Sequence, residues 1–251
     1  SQTKNSHPTM GVISFPVGYP FMNVIHGYPF SIIIENKYQT VTKSYLAGQS
    51  TEPFKLSMRM IKRAITIQLQ PFSIPVFFKV SGSDVANQII PLELLSKTIA
   101  GQIEDLISSQ LSSKEVLQRT EAMLSGKIWQ SPDPRLIKSI QLIFSNHGEI
   151  QIKKVADHVN LSHRRLQQLY LHFVGVPAKS FSRIVKLQSH SYLALQGKPV
   201  NAVVPDGYYD QAHFIHSIKE LTGMLPGDYF NYILSPRNRD AYLSSNLYFQ
   251  G

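Results

Sequence analysis

Residues 152–223 carry one pattern twice, and few folds accommodate that. The first copy is IKKVADHVNLSHRRLQQLYLHFVG (152–175) and the second is VNAVVPDGYYDQAHFIHSIKELTG (200–223). Each reads as a short helix, a tight turn, a polar cap residue and a second helix ending at glycine. That is the grammar of a helix-turn-helix, a unit whose second helix can enter the major groove of DNA. In the first copy, small Ala156 allows close helix packing at the turn and Ser162 is a good N-cap. Leu166, Leu169, Tyr170 and Phe173 follow at i, i+3, i+4 and i+7, one apolar stripe. The opposite face carries His163, Arg164, Arg165, Gln167, Gln168 and His172, and Gly175 with Pro177 marks the end. In the second copy Asp210 caps, Phe214, Ile218 and Leu221 face inward, and Gly223 and Pro226 end the unit. Its outer face is expected to carry Gln211, His213, His216, Ser217 and Lys219.

The connecting segment Pro177–Leu195 is also predicted helical, with Phe181, Ile184, Gln188, Tyr192 and Leu195 on one side and Gly197 just past its end. Its length would be about 28 Å at the α-helical rise. One turn of B-DNA is about 34 Å, so such a helix can set two recognition helices in consecutive major grooves on one face of a duplex.

Composition supports an acidic partner without localising it. Net charge is +9 with a pI near 9.6. Residues 1–131 hold 12 basic and 8 acidic residues and residues 132–251 hold 13 and 8, so the charge is shared between the halves. There is no cysteine, which excludes disulfides and thiol chemistry and fits a cytoplasmic protein. Residues 5–34 lack charged side chains, but four prolines and three glycines there rule out a membrane-spanning helix, and no signal peptide is evident. The terminal NLYFQG looks like a tag remnant, and 244–251 are set aside on that ground.

The first half reads as strands followed by helices. FSIII (30–34), SYLAG (44–48), KLSMRMI (55–61) and AITIQLQP (64–71) are short, β-rich and separated by turn residues. Leu92, Leu95, Ile99, Ile103, Leu106 and Ile107 then fall at helical spacing, and a second helix from about Ser113 carries Val116, Leu117, Met123 and Leu124. SPDP (131–134) is the natural linker.

No catalytic or metal-binding constellation emerges. His213 and His216 stand three apart on a helix, but structural zinc takes four ligands, often Cys, and no third or fourth clusters with them. The first half has only His7 and His26, too few for a metal centre built on several histidines. Nucleophile-elbow, phosphate-loop and dinucleotide-loop patterns are missing. No enzyme activity and no cofactor are expected. Tyr19, Tyr28, Phe30, Phe72, Phe77 and Phe78 could line an effector pocket, though plain core packing is the commoner use of such residues.

GYYDQAHFIHSIKELTGMLPGDYF (207–230) resembles the signature of the AraC/XylS family of bacterial transcription regulators: Gly-aromatic, Asp-Gln-Ser-His-Phe, a basic helix, Thr-Gly and Pro-x-x-Tyr. The resemblance spans about 100 of 251 residues, from Asp133 to Tyr232. It implies a seven-helix DNA-binding domain in which Ser162, His163, Arg164, Arg165, Gln167, Gln168, Gln211, Ala212, His213, His216 and Lys219 meet DNA, with Arg165 and Lys219 better suited to phosphate than to base. The chain departs from the pattern in three places. Pro177 stands one residue before the usual proline. Val203 and Pro205 occupy the supporting helix of the second unit, where Pro removes a backbone hydrogen bond and predicts a weaker unit. His216 replaces a frequent base-contacting Arg. The run 44–95 resembles a poorly characterised β-rich domain often found ahead of AraC-type domains, which implies a sensory or assembly role.

The expected fold class is therefore α+β. A β-rich, cupin-like or related domain (1–90) leads to a helical extension (91–130), a linker (131–134) and an all-α domain (135–236) with two helix-turn-helix units joined by a long helix. The expected function is a bacterial, cytoplasmic, sequence-specific DNA-binding transcription regulator, modulated by a ligand or by self-association. The alternative is a small-molecule binding protein or enzyme with an architectural DNA-binding tail. Double-stranded DNA is the expected partner, with a small-molecule effector, RNA polymerase and a second copy as further candidates and no membrane. On this division of labour, residues 132–236 alone would bind DNA but ignore an effector.

Overall fold

A computed structural model describes residues 10–27, 30–34, 37–41, 43–58, 61–198 and 211–239. The supporting helix expected for the second unit, with Val203, Pro205 and the cap Asp210, lies outside the described residues, as do Tyr28 and the terminal 244–251.

The first half forms two four-stranded antiparallel sheets. One has the order β1–β6–β3–β4, from Met10–Ser14, Phe54–Met58, Phe30–Ile34 and Lys37–Val41. The other has the order β7–β2–β5–β8, from Ile61–Gln68, Phe21–Gly27, Ser44–Ala47 and Ile89–Pro91. Three short helices, α1 (Ser73–Phe77), α2 (Gly82–Val85) and α3 (Leu92–Leu95), flank β8. Two longer ones follow, α4 (Lys97–Ser108) and α5 (Ser113–Ser125). Ile99, Ile103 and Ile107 turn one face of α4 onto Met22, Val24, Leu46 and Ile67 of the second sheet. Helix α5 starts where expected because Ser112 and Glu115 cap it reciprocally. Leu117, expected on its apolar face, is instead 44% exposed, because Val116, Thr120 and Leu124 take the inward positions.

The linker ends at Asp133, whose carboxylate accepts from the Arg135 N–H to cap α6 (Pro134–Ser145). Then come α7 (Ile152–His158), α8 (His163–Leu169), a π-helical turn (Tyr170–Val174), α9 (Ala178–Leu195), α10 (Gln211–Thr222) and α11 (Pro226–Leu234). Gly175 (φ +92°) and Gly223 (φ +70°) take the left-handed conformation a helix stop requires. Helix α9 spans the expected residues but is not one-sided: Phe181, Ile184, Val185, Leu187, Gln188, Ser189, His190 and Ser191 are all buried.

That burial has a source in the first half. The segment between β1 and β2 crosses α9 and sends an aromatic ring into each helical core. Phe15 joins Ile184, Leu187, Phe214, Ile218, Leu221, Tyr229 and Phe230, with edge-on contacts to Tyr229 at 5.0 Å and Tyr232 at 5.6 Å. Tyr19 joins Leu136, Ile140, Leu166, Tyr170, Phe173 and Phe181, stacked on Phe144 at 5.4 Å. The Gln188 amide donates to the Pro16 carbonyl, and the Tyr232 hydroxyl accepts from the Ile13 N–H at 3.0 Å. The helical half is thus not closed on itself. A fragment starting at 132 would lack both rings.

Truncating a buried Phe costs about 3–5 kcal/mol, the lost transfer energy plus the cavity left behind. Phe15→Ala should therefore lower the urea-unfolding free energy by about that amount, although Phe15 lies far in sequence from the helices it packs on. A loss below about 1 kcal/mol would mean that the segment rests on the surface instead of completing the core.

Candidate nucleic-acid interface

Helix α8 begins at Ser162, which is extended and whose Oγ accepts from the Arg165 N–H at 3.2 Å. Leu166 and Leu169 are buried, which leaves Ser162, His163, Arg164, Arg165 and Gln168 exposed and Gln167 half-buried. These six expected residues therefore share one open polar surface. The α-helix ends at Leu169, earlier than the pattern implied. Tyr170–Val174 widen into a π turn closed by the Gly175 N–H on the Tyr170 carbonyl at 2.9 Å. His172, expected on the polar face, is carried round to the first half. Its Nε2 lies 3.0 Å from Gln130 Oε1, and its carbonyl accepts from Ser81 Oγ at 3.3 Å. The backbones meet there as well: a Cβ on Gly82 would stand 2.7 Å from the Gly175 nitrogen.

Helix α10 turns Phe214, Ile218 and Leu221 inward and leaves Ala212, His216 and Lys219 exposed. Gln211 and His213 belong to α10, but their side chains lie outside the described residues. Ser217, expected on the outer face, is 4% exposed and faces α9. The polar face of α10 is narrower than the pattern implied, because Ser217 sits beside Phe214, Ile218 and Leu221 on the packed side.

Glu220 was not singled out from sequence, yet it organises this helix. Its carboxylate accepts two hydrogen bonds from the Arg183 guanidinium, at 3.1 and 2.7 Å, and lies 3.5 Å from His216 Nε2. Hydrogen bonding to Arg183 holds the Glu220 carboxyl below the usual carboxylate range. Arg183 belongs to a set, Lys179, Arg183 and Lys186, spaced i, i+4 and i+7 on α9. That spacing is visible in the sequence but is lost when the helix is read for its apolar side alone. Beside α6, bonding to Arg135 likewise lowers the Asp133 carboxyl, with Arg165 contributing at longer range. Among the described residues no three His, Asp or Glu side chains gather where a metal ion could bind, and no helix is long and apolar enough to cross a membrane.

These features define a β-rich domain clasped to a helical domain in which α8 and α10 each expose a polar face. No family model matches the chain and no curated protein matches it. Solved structures do. ToxT from Vibrio cholerae superposes with a TM-score of 0.55 at 11% identity, covering 91% of this chain and 98% of that one. ToxT bound to (E)-4-(8-methylnaphthalen-1-yl)but-3-enoic acid gives 0.52 at 12% identity, covering 91% and 99%. The chain therefore has the fold of ToxT over nearly its whole length, and the two-part α+β architecture implied by the AraC/XylS resemblance is the one observed.

Burial gives the connecting helix a pH signature. His190 on α9 is buried, and burial, helped by Lys186 and His147, pushes its pKa down to about 4. The unfolded chain binds a proton on this ring near pH 6.5 while the native state does not, so stability is full above about pH 6.5 and falls as pH drops towards 4. Urea unfolding at about pH 4.5 should show His190→Gln losing roughly 2 kcal/mol less than wild type relative to neutral pH. Equal losses in the two proteins would assign the acid sensitivity to other groups.

Proposed function

We propose that this chain is a bacterial, cytoplasmic, sequence-specific DNA-binding transcription regulator whose first domain senses a small molecule or mediates self-association. One observation carries the reading. A capped recognition helix presents Ser162, His163, Arg164, Arg165, Gln167 and Gln168 on one open surface, and a second helix with exposed Ala212, His216 and Lys219 is tied to the same rigid connecting helix. Arg and Gln at the start of such a helix suit bidentate contacts to guanine and adenine edges, while Arg165 and Lys219 suit phosphates. Gln211 and His213 share α10 and complete the proposed contact set. That ToxT was solved with an aryl butenoic acid supports an effector role for the first domain, and a second copy and RNA polymerase are the protein partners to seek.

The test is selection from random duplex DNA with the purified full chain, followed by binding curves on the enriched site. Arg164→Ala should cost about 1–3 kcal/mol on that site and relax preference at one base pair, with little change on random DNA. An equal loss on both would make Arg164 a backbone contact. Failure to enrich any sequence would favour a small-molecule protein with an architectural tail.

A further inference from the structure

Between the two units lies a groove of about 370 Å³, lined by Gly148–Ile152, by Lys179, Ser182, Arg183 and Lys186 of α9, and by Ser217 of α10. The groove is polar for a structural reason. Most of α9 is packed against Phe15, Tyr19 and the two cores, so its first three turns reach solvent mainly along this one edge. Lys179 is exposed, Arg183 is half-buried, and the Lys186 side chain is only 11% exposed. Glu149 approaches Lys186 at 3.9 Å and Glu220 pairs with Arg183. Three cations thus face two carboxylates, an excess of one positive charge.

The position of this edge gives the excess a use. When two helices joined by a rod of about 27 Å enter consecutive major grooves, the intervening phosphate strands must pass in front of the rod. An acidic edge there would repel them and a neutral one would leave their charge unbalanced, whereas one surplus cation balances one phosphodiester. We propose that this groove seats a backbone phosphate between the two major-groove contacts, with Lys179 as its most accessible ligand and Arg183 and Lys186 behind it. The inference rests on the DNA-binding reading and adds a contact of different character, independent of sequence. Its chemistry is that of a phosphate ester, so free phosphate is the competing source to separate.

The experiment needs no operator. Binding of the full chain to a random-sequence duplex of about 30 base pairs is followed by fluorescence anisotropy across a potassium chloride series, since each neutralised phosphate adds about 0.9 to the salt slope. Lys179→Gln should reduce the slope by close to one and make the affinity ratio between about 50 and 200 mM salt roughly threefold smaller, equally on every duplex. Lys114→Gln, on the exposed face of α5, should leave the slope unchanged. Unaltered thermal melting of Lys179→Gln would show that the fold is intact. A slope identical to wild type overturns the proposal while leaving DNA binding standing. Absence of salt-dependent binding by the wild-type chain overturns both. Stabilisation by inorganic phosphate alone, lost in Lys179→Gln while the DNA slope is unchanged, would make the occupant a free phosphate and also overturn it.

Discussion

Two rings from one short segment hold this molecule together. Phe15 and Tyr19 are four residues apart, and each enters a different helical core on either side of α9. The bonds from Ile13 to Tyr232 and from Gln188 to Pro16 fix the segment between them. Each buried aromatic contributes on the order of 2–3 kcal/mol by area alone, a large share of the net stability of a domain. The spacing of the two units is set by α9, and the packing of α9 is set in part by the first half. A ligand that binds two arrangements of that half with different affinity could therefore act on both units through one strap.

A second set of contacts joins the halves at the far end of the first unit. The π turn 170–174 brings Gly175 against Gly82 and His172 against Gln130 and Ser81. On the second unit, Arg183 binds Glu220 across to α10, which ties that helix to the rod by a two-point hydrogen bond instead of by apolar packing alone. The exposed side chains of α8 and α10 are thus presented by elements anchored on their opposite faces. A regular helix anchored in this way holds its polar side in a repeatable place, which recognition of a fixed DNA geometry requires.

Much of this was legible from residue order, for identifiable reasons. Ser162 as cap, the inward stripe Leu166, Leu169, Tyr170 and Phe173, and the span of α9 all follow from local rules that tertiary context did not override. The strand at 30–34 follows from a β-branched run, and the strand at 44–47 from a short apolar run ending at Gly48. What sequence reasoning missed depends on contacts between distant positions. Nothing near Phe15 or Tyr19 signals that they complete helical cores more than 115 residues away, since both sit in an uncharged stretch like any strand edge. The π turn that displaces His172 is invisible to a 3.6-residue period. Serine's polarity predicts an outward Ser217, although its position beside Ile218 and Phe214 puts it near the packed face. Glu220 gives no local signal, because its partner Arg183 lies 37 positions away.

On the proposed function, two anchored helices read consecutive major grooves from one face of a duplex. Hydroxyl-radical footprinting of the full chain on its selected site measures that directly. The account predicts two protected patches on one face, about 10–10.5 base pairs apart centre to centre. A single patch, or protection that runs around both faces of the duplex, would contradict it.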